Sequence, residues 1–134
     1  MVHTETTFQL LFVSQLGPGR NWGIVKDIVA GARQRNAARG ITGALLFDGE
    51  HFCELVEGTE AQTQALIDQI SHDPRHAGVR VIFAGPSPGG RLMQRWASGY
   101  CDASALESLL GAEGLHDRAV LDTFVAVLKD ADME

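Results

Sequence analysis

Positive charge is scarce in this chain: among its 134 residues, eleven Lys and Arg face seventeen Asp and Glu, for a net charge of −6. A surface of that sign offers no electrostatic footprint for nucleic acid and no polybasic patch for anionic lipid, so neither is an expected partner. Cysteine is nearly absent, with Cys53 and Cys101 alone and in no CxxC spacing. The opening Met1 to Thr7 carries neither the basic residues nor the apolar stretch of a secretory signal. Reduced thiols and a cytoplasmic location are therefore expected, while a Cys53–Cys101 disulfide stays open on sequence grounds. No apolar run approaches the roughly 20 residues that span a bilayer. Also missing are a GxSxG elbow, a Walker loop and a GxGxxG turn, and neither cysteine has His and Asn partners at a persuasive spacing. A binding or signalling module is expected rather than an enzyme. With 45% apolar residues and no linker or repeat, residues 1–134 read as one domain around one core.

The elements that are present follow clear periodicities. Phe8 to Ser14 alternates as a strand with Phe8, Leu10 and Phe12 on one face and Gln9, Leu11 and Val13 on the other. Both faces are largely apolar, as in a strand covered on two sides. Ile24, Val25, Ile28, Val29 and Ala32 recur at helical spacing, predicting a helix from about Asn21 to Asn36 that Gly40 stops. Strands follow at Ile41 to Phe47 and His51 to Glu57, joined by the hairpin signal Asp48-Gly49. Thr59 and Gln62 fit a capping box for a second helix, which Asp73-Pro74 ends. Val79 to Ala84 and Trp96 to Cys101 read as further strands, then helices at about Ala103 to Leu110 and Asp117 to Lys129. The order β-α-β-β-α-β-β then α-α predicts an α+β, ferredoxin-like sheet. Both crossover helices lie on one face and the last two cover the other.

Alternation places Glu54 on the side of Phe52 and Val56, away from Cys53 and Glu57. A buried carboxylate needs a cation or donors, or else holds its proton. It reads either as a ligand contact or general acid, or as a carboxylate satisfied by a neighbouring Arg or backbone amide. Asn36, near the end of the first helix, suits a planar heterocycle as donor and acceptor, and equally suits a helix end. Arg33, Arg35 and Arg39 around it read as a solvated helix terminus. His72-Asp73-Pro74-Arg75-His76 has two histidines four apart, but Pro74 prevents one shared helical face, so an exposed helix-ending turn is expected over a metal site. Arg75 and His76 alternatively suit a phosphate.

The run Arg35-Asn36-x-x-x-Gly40-Ile-Thr-Gly43, then Leu45-Leu-Phe-Asp-Gly49 and Phe52-x-x-x-Val56-Glu-Gly58, resembles a BLUF domain. Asp73-Pro-Arg75-His76 and Arg91-x-x-x-x-Trp96 extend the likeness. It covers roughly residues 8–101, with 102–134 as a helical extension like that of short single-domain members. Such domains are blue-light sensors holding FAD between the two crossover helices, and the resemblance implies a flavin here. Asn36 matches the asparagine that hydrogen-bonds the ring, and Arg35 stands where a second asparagine is common. Ile28 and Phe52 would pack at the ring, Arg75 and His76 near its phosphate or ribityl end, and Trp96 is the fifth-strand tryptophan.

Departures from the pattern fall on the switch. The family's photochemistry uses a strand-one tyrosine and a strand-three glutamine, which here are Phe12 and Glu54. A position that is often methionine is Ser98. Phe12 has no hydroxyl proton, and a carboxyl lacks the NH2 donors of an amide. The resemblance thus implies a BLUF-like signalling domain that lacks the usual light response and acts on a downstream regulatory protein, with or without flavin. The alternative is a photoreceptor with unorthodox chemistry, using Trp96 or the lone Tyr100 as donor. A third, enzymatic reading would use Glu54 as acid or base. Homo-oligomerisation is possible on the same family grounds.

Overall fold

The computed structural model describes residues 6–114 and 116–134, so most of the N-terminal stretch judged for a targeting signal lies outside the described residues. Strands β1 (Thr7–Leu16), β2 (Thr42–Phe47), β3 (His51–Gly58), β4 (His76–Ser87), β5 (Trp96–Tyr100) and β6 (Asp132–Met133) form one sheet in the order β4-β1-β3-β2-β5-β6. The helices are α1 (Trp22–Arg39), α2 (Glu60–Ser71), α3 (Ala103–Leu110) and α4 (Ala119–Asp130). The first four strands have the antiparallel ferredoxin-like arrangement, and β5 joins the β2 edge in parallel. No helix is long and apolar enough to cross a membrane among the described residues.

Local chemistry places the helix ends. Asn21 caps α1 by accepting from the Gly23 N–H at 3.0 Å, and Gly40, at φ 68°, ends it in the left-handed conformation that suits glycine. The capping box opens α2: Thr59 Oγ1 accepts from Gln62 N at 3.1 Å, and Gln62 Oε1 accepts from Thr59 N at 3.0 Å. Gln62 also donates to the Arg39 carbonyl at 2.8 Å, which ties the start of α2 to the end of α1. Asp48 closes the hairpin by accepting from the N–H groups of Glu50 and His51.

The two faces of the sheet bury separate clusters. Leu11, Val13, Cys53 and Leu55 meet Leu106, Leu109, Leu121 and Phe124 of α3 and α4, so the last two helices cover the second face. Leu10, Phe12 and Val56 lie under Leu66, Ile67 and Ile70 of α2. Val25, Ile28 and Ala32 of α1 pack on Leu45, Phe47, Phe52 and Trp96. This accounts for β1 being apolar on both sides, since each face buries against its own helix pair. At Gly43, a Cβ would collide with the Leu55 carbonyl, so glycine alone lets β2 lie this close to β3.

Most predicted boundaries shift by a few residues, because pairing extends β1 and β4 past their most apolar positions. β6 is an addition; its two residues pair with Gly99 and Tyr100, a contact that no local pattern announces. Cys53 and Cys101 are both free thiols. Burial raises each thiol's pKa, that of Cys101 to about 11, which keeps them protonated and unreactive at neutral pH.

Candidate functional site

β3 runs through the middle of the sheet between β1 and β2, and Glu54 stands at its centre, directly opposite Phe12 on one side and Leu45 on the other. The side chain is only 3% exposed. Its partner is neither an arginine nor a backbone amide, as the sequence alternative held: the Trp96 indole N–H donates to Glu54 Oε2 at 3.1 Å. Strand β5 comes from far along the chain and delivers this donor across the sheet. Desolvation pushes the Glu54 carboxyl up to about 7, against the downward pull of the Trp96 hydrogen bond and the Arg35 charge. Near neutral pH the group is therefore divided between acid and carboxylate.

Phe12 is completely buried on the same side of the sheet, within the aliphatic cluster under α2. Its cross-strand pairing with Glu54 places an aromatic hydrocarbon and an ionisable acid side by side beneath the two crossover helices.

Asn36 continues the inward stripe of α1 after Val25, Ile28 and Ala32. It is fully buried, and among the described residues neither its Oδ1 nor its Nδ2 has a hydrogen-bond partner; nor has the buried Nε of Arg35. Leaving a buried polar group unpaired costs about 1–3 kcal/mol, so such groups are rarely left without a purpose. Amide oxygen, amide NH2 and guanidinium N–H together suit a planar heterocycle whose edge alternates carbonyl and N–H groups. The donor set present thus fits a flavin ring. Burial lowers the Arg35 pKa, with Glu54 pulling it back up. The solvated helix terminus expected for Arg35 is corrected accordingly, since this arginine is half-buried and electrostatically linked to the central acid.

The other candidates separate into two groups. Ile28 and Phe52 are buried together, with the Phe52 ring stacked on Phe47 at 4.6 Å and tilted against His76 at 4.8 Å. His76 is not part of an exposed turn: it begins β4, and its Nδ1 lies 3.0 Å from Ser14 Oγ. Burial drops its pKa to about 4, so it is neutral at pH 7. Arg75 is half-buried and spends Nε and Nη2 on Asp73, the shortest contact being 2.7 Å, which holds Asp73 below the usual carboxylate range. An anion at Arg75 would have to share the guanidinium with that carboxylate. Among the described residues no group of three or more His, Cys, Asp or Glu gathers around a metal-sized point. Sequence reading missed Ser14 and the Trp96–Glu54 bond. Strand alternation in β5 could have aimed Trp96 inward, but not at a particular acid.

Residues 7–99 match the model of a family described as BLUF, sensors of blue light using FAD. This chain belongs to the BLUF family. Its relatives include the blue light- and temperature-regulated antirepressor BluF of Escherichia coli (strain K12), 36% identical over 68 residues, which are 51% of this chain and 17% of that protein. A photoactivated adenylate cyclase subunit alpha-like protein FB of Euglena gracilis is 39% identical over 70 residues, 52% of this chain and 7% of its own length. The chain thus spans less than a fifth of these relatives, and their cyclase and antirepressor activities belong to them. Among solved structures, the dark state of the BLUF protein BlrB superposes with a TM-score of 0.71 at 27% identity, covering 92% of this chain and 98% of that one. The photo-activated state of BlsA superposes at 0.75 with 20% identity over 91% and 94% of the two chains, which speaks for the fold. Flavin is the ligand of this family, and BLUF domains are sensory modules.

Proposed function

We propose that this BLUF domain takes a flavin between α1 and α2, lacks the usual light switch, and signals by binding a downstream regulatory protein. The observation that carries the reading is the buried cross-strand pair of Phe12 and Glu54, at the positions where the family resemblance puts a tyrosine and a glutamine. A bound flavin would supply blue-light absorption and electron-accepting capacity. The Asn36 amide and Arg35 Nε would hold its ring through hydrogen-bonding groups that find no partner among the described residues. Ile28 and Phe52 would provide apolar contact, and neutral His76 would limit charge beside it. Arg75 would reach the phosphate or ribityl end only by sharing itself with Asp73.

Phe12 can release no proton, so the coupled electron and proton movement expected of a tyrosine has no source there. Glu54 cannot exchange an NH2 donor for a carbonyl acceptor by turning, as an amide does. Its Oε2 is also held by Trp96, which fixes the carboxyl plane. Signalling in this reading depends on the protein surface and on whether the ligand is bound, rather than on a photocycle.

Absorption of the purified protein, with FAD added and before and after blue light, is the test. A flavin spectrum that does not move is expected. Failure to retain FAD would overturn the binding half, and a reversible red shift would overturn the disabled switch. The alternative photoreceptor reading draws on one observation: Trp96, an oxidisable indole, is hydrogen-bonded to Glu54, a group able to accept its proton. The same red shift, lost on replacing Trp96 with Phe, would establish it.

A further inference from the structure

The turn of α1 that aims Asn36 into the sheet also aims its neighbours to either side. Arg35 falls on the side of Glu54 and Arg75, while Arg33 and Ala37 face the β5 edge. On that edge, outside the inner site, lies a cavity of about 520 Å³ lined by Arg33, Ile41, Thr42, Arg95, Trp96 and Glu134 among others. Its size falls within the range of about 300–1,000 Å³ that holds small molecules.

The lining is selective. The Arg33 guanidinium lies 5.8 Å from the centre of the Trp96 ring and is steadied by a 3.3 Å donation to Ser98 Oγ. Arg95 brings a second cation, and among the described residues neither arginine has an ion-pair partner. In a chain of net charge −6, two arginines lining one cavity with an indole and an isoleucine form a local concentration of positive charge. A ring suits the Ile41–Trp96 wall, and a carboxylate or sulfonate suits the two guanidinium groups. Glu134 opposes an anion from the rim, where its backbone N–H is held by the Ser98 carbonyl at 2.7 Å.

We propose that this outer cavity binds a small aromatic anion and that its occupancy is felt at the inner site through Trp96. The tryptophan belongs to both places: its ring lines the cavity, and its N–H holds Glu54 at 3.1 Å. A ligand that shifts the ring lengthens that bond and alters the acid beside the proposed flavin site, so two distinct sites share one side chain. The outer site stands whether or not flavin binds.

Fluorescence titration of the full chain with 8-anilinonaphthalene-1-sulfonate tests it. Saturable one-site binding is expected, weakened about tenfold or more in an Arg33→Met, Arg95→Met double variant, each arginine supplying a charge-assisted contact. Both arginines are exposed, so the variant's unfolding curve should stay unchanged. Glu134→Gln should bind the probe more tightly, and added FAD should change the probe's affinity only to a limit, leaving a complex that holds both. Absence of saturable binding, unchanged affinity in the double variant, or strict competition with FAD would overturn the site. Saturation with the probe must also move the pH at which the Glu54 carboxyl titrates, followed by its carboxyl carbon resonance; an unmoved midpoint overturns the link to Glu54.

Discussion

Between about pH 4 and pH 8 the folded protein must accept a charge at Glu54 in a place that water does not reach, and this makes folding pH-dependent. The carboxyl ionises at its ordinary 4.5 when unfolded and at about 7 when folded. In that window the unfolded chain has already released the proton that the folded protein retains. The stabilisation from a neutral Glu54 is therefore complete below 4.5, declines as pH rises through 7, and is gone above it. The gap between the two values corresponds to about 3 kcal/mol over the whole window. That is a large share of the roughly 5–15 kcal/mol that holds a domain together. His76 acts in the opposite sense: held to about 4 when folded against 6.5, it stabilises above 6.5 and loses that contribution as pH falls toward 4. Urea unfolding of wild type and Glu54→Gln across the same pH series separates them, because His76 is common to both proteins. Glutamine keeps an oxygen for the Trp96 N–H but cannot ionise. Without added flavin, wild type should lose about 3 kcal/mol relative to the variant between about pH 4 and pH 8. Parallel curves for the two proteins would refute the buried, proton-retaining Glu54.

Restoring the switch is the complementary experiment: Phe12→Tyr with Glu54→Gln should give a flavin-loaded protein with a reversible red shift under blue light, read in the visible spectrum, and silence would show divergence beyond these two positions. Replacing Asn36 with Leu removes two unpaired buried polar atoms, so the flavin-free protein should gain about 1–2 kcal/mol in urea unfolding while FAD retention falls. Gly43→Ala should destabilise by more than about 2 kcal/mol, seen as a lowered Tm, because φ is 151° there and the Leu55 carbonyl occupies the Cβ position.

Much of the architecture was legible without coordinates because its causes are local. The Thr59–Gln62 box, Asn21 and Gly40 act within a turn of the chain, and alternation with period two decides which strand residues share a face. That is why Phe12 and Glu54 were assignable to one side of the sheet before any distance was known. A helix-ending turn does follow α2, with His72 and Pro74 exposed; only His76 departs from it, because the groups that bury it, Phe52 and the Ser14 hydroxyl, lie 24 and 62 positions away in the chain.

Residue order by itself thus determined the elements, their faces and the family, through torsional preference, capping and hydrophobic period. Tertiary structure alone decided that Glu54 meets an indole, that its proton is held to about 7, that Asn36 has no partner among the described residues, and that Trp96 both lines the outer cavity and holds Glu54. The physical reason is that desolvation and hydrogen-bond satisfaction depend on every group packed around a side chain, and those groups arrive from β5, α1 and β4, which are distant in sequence.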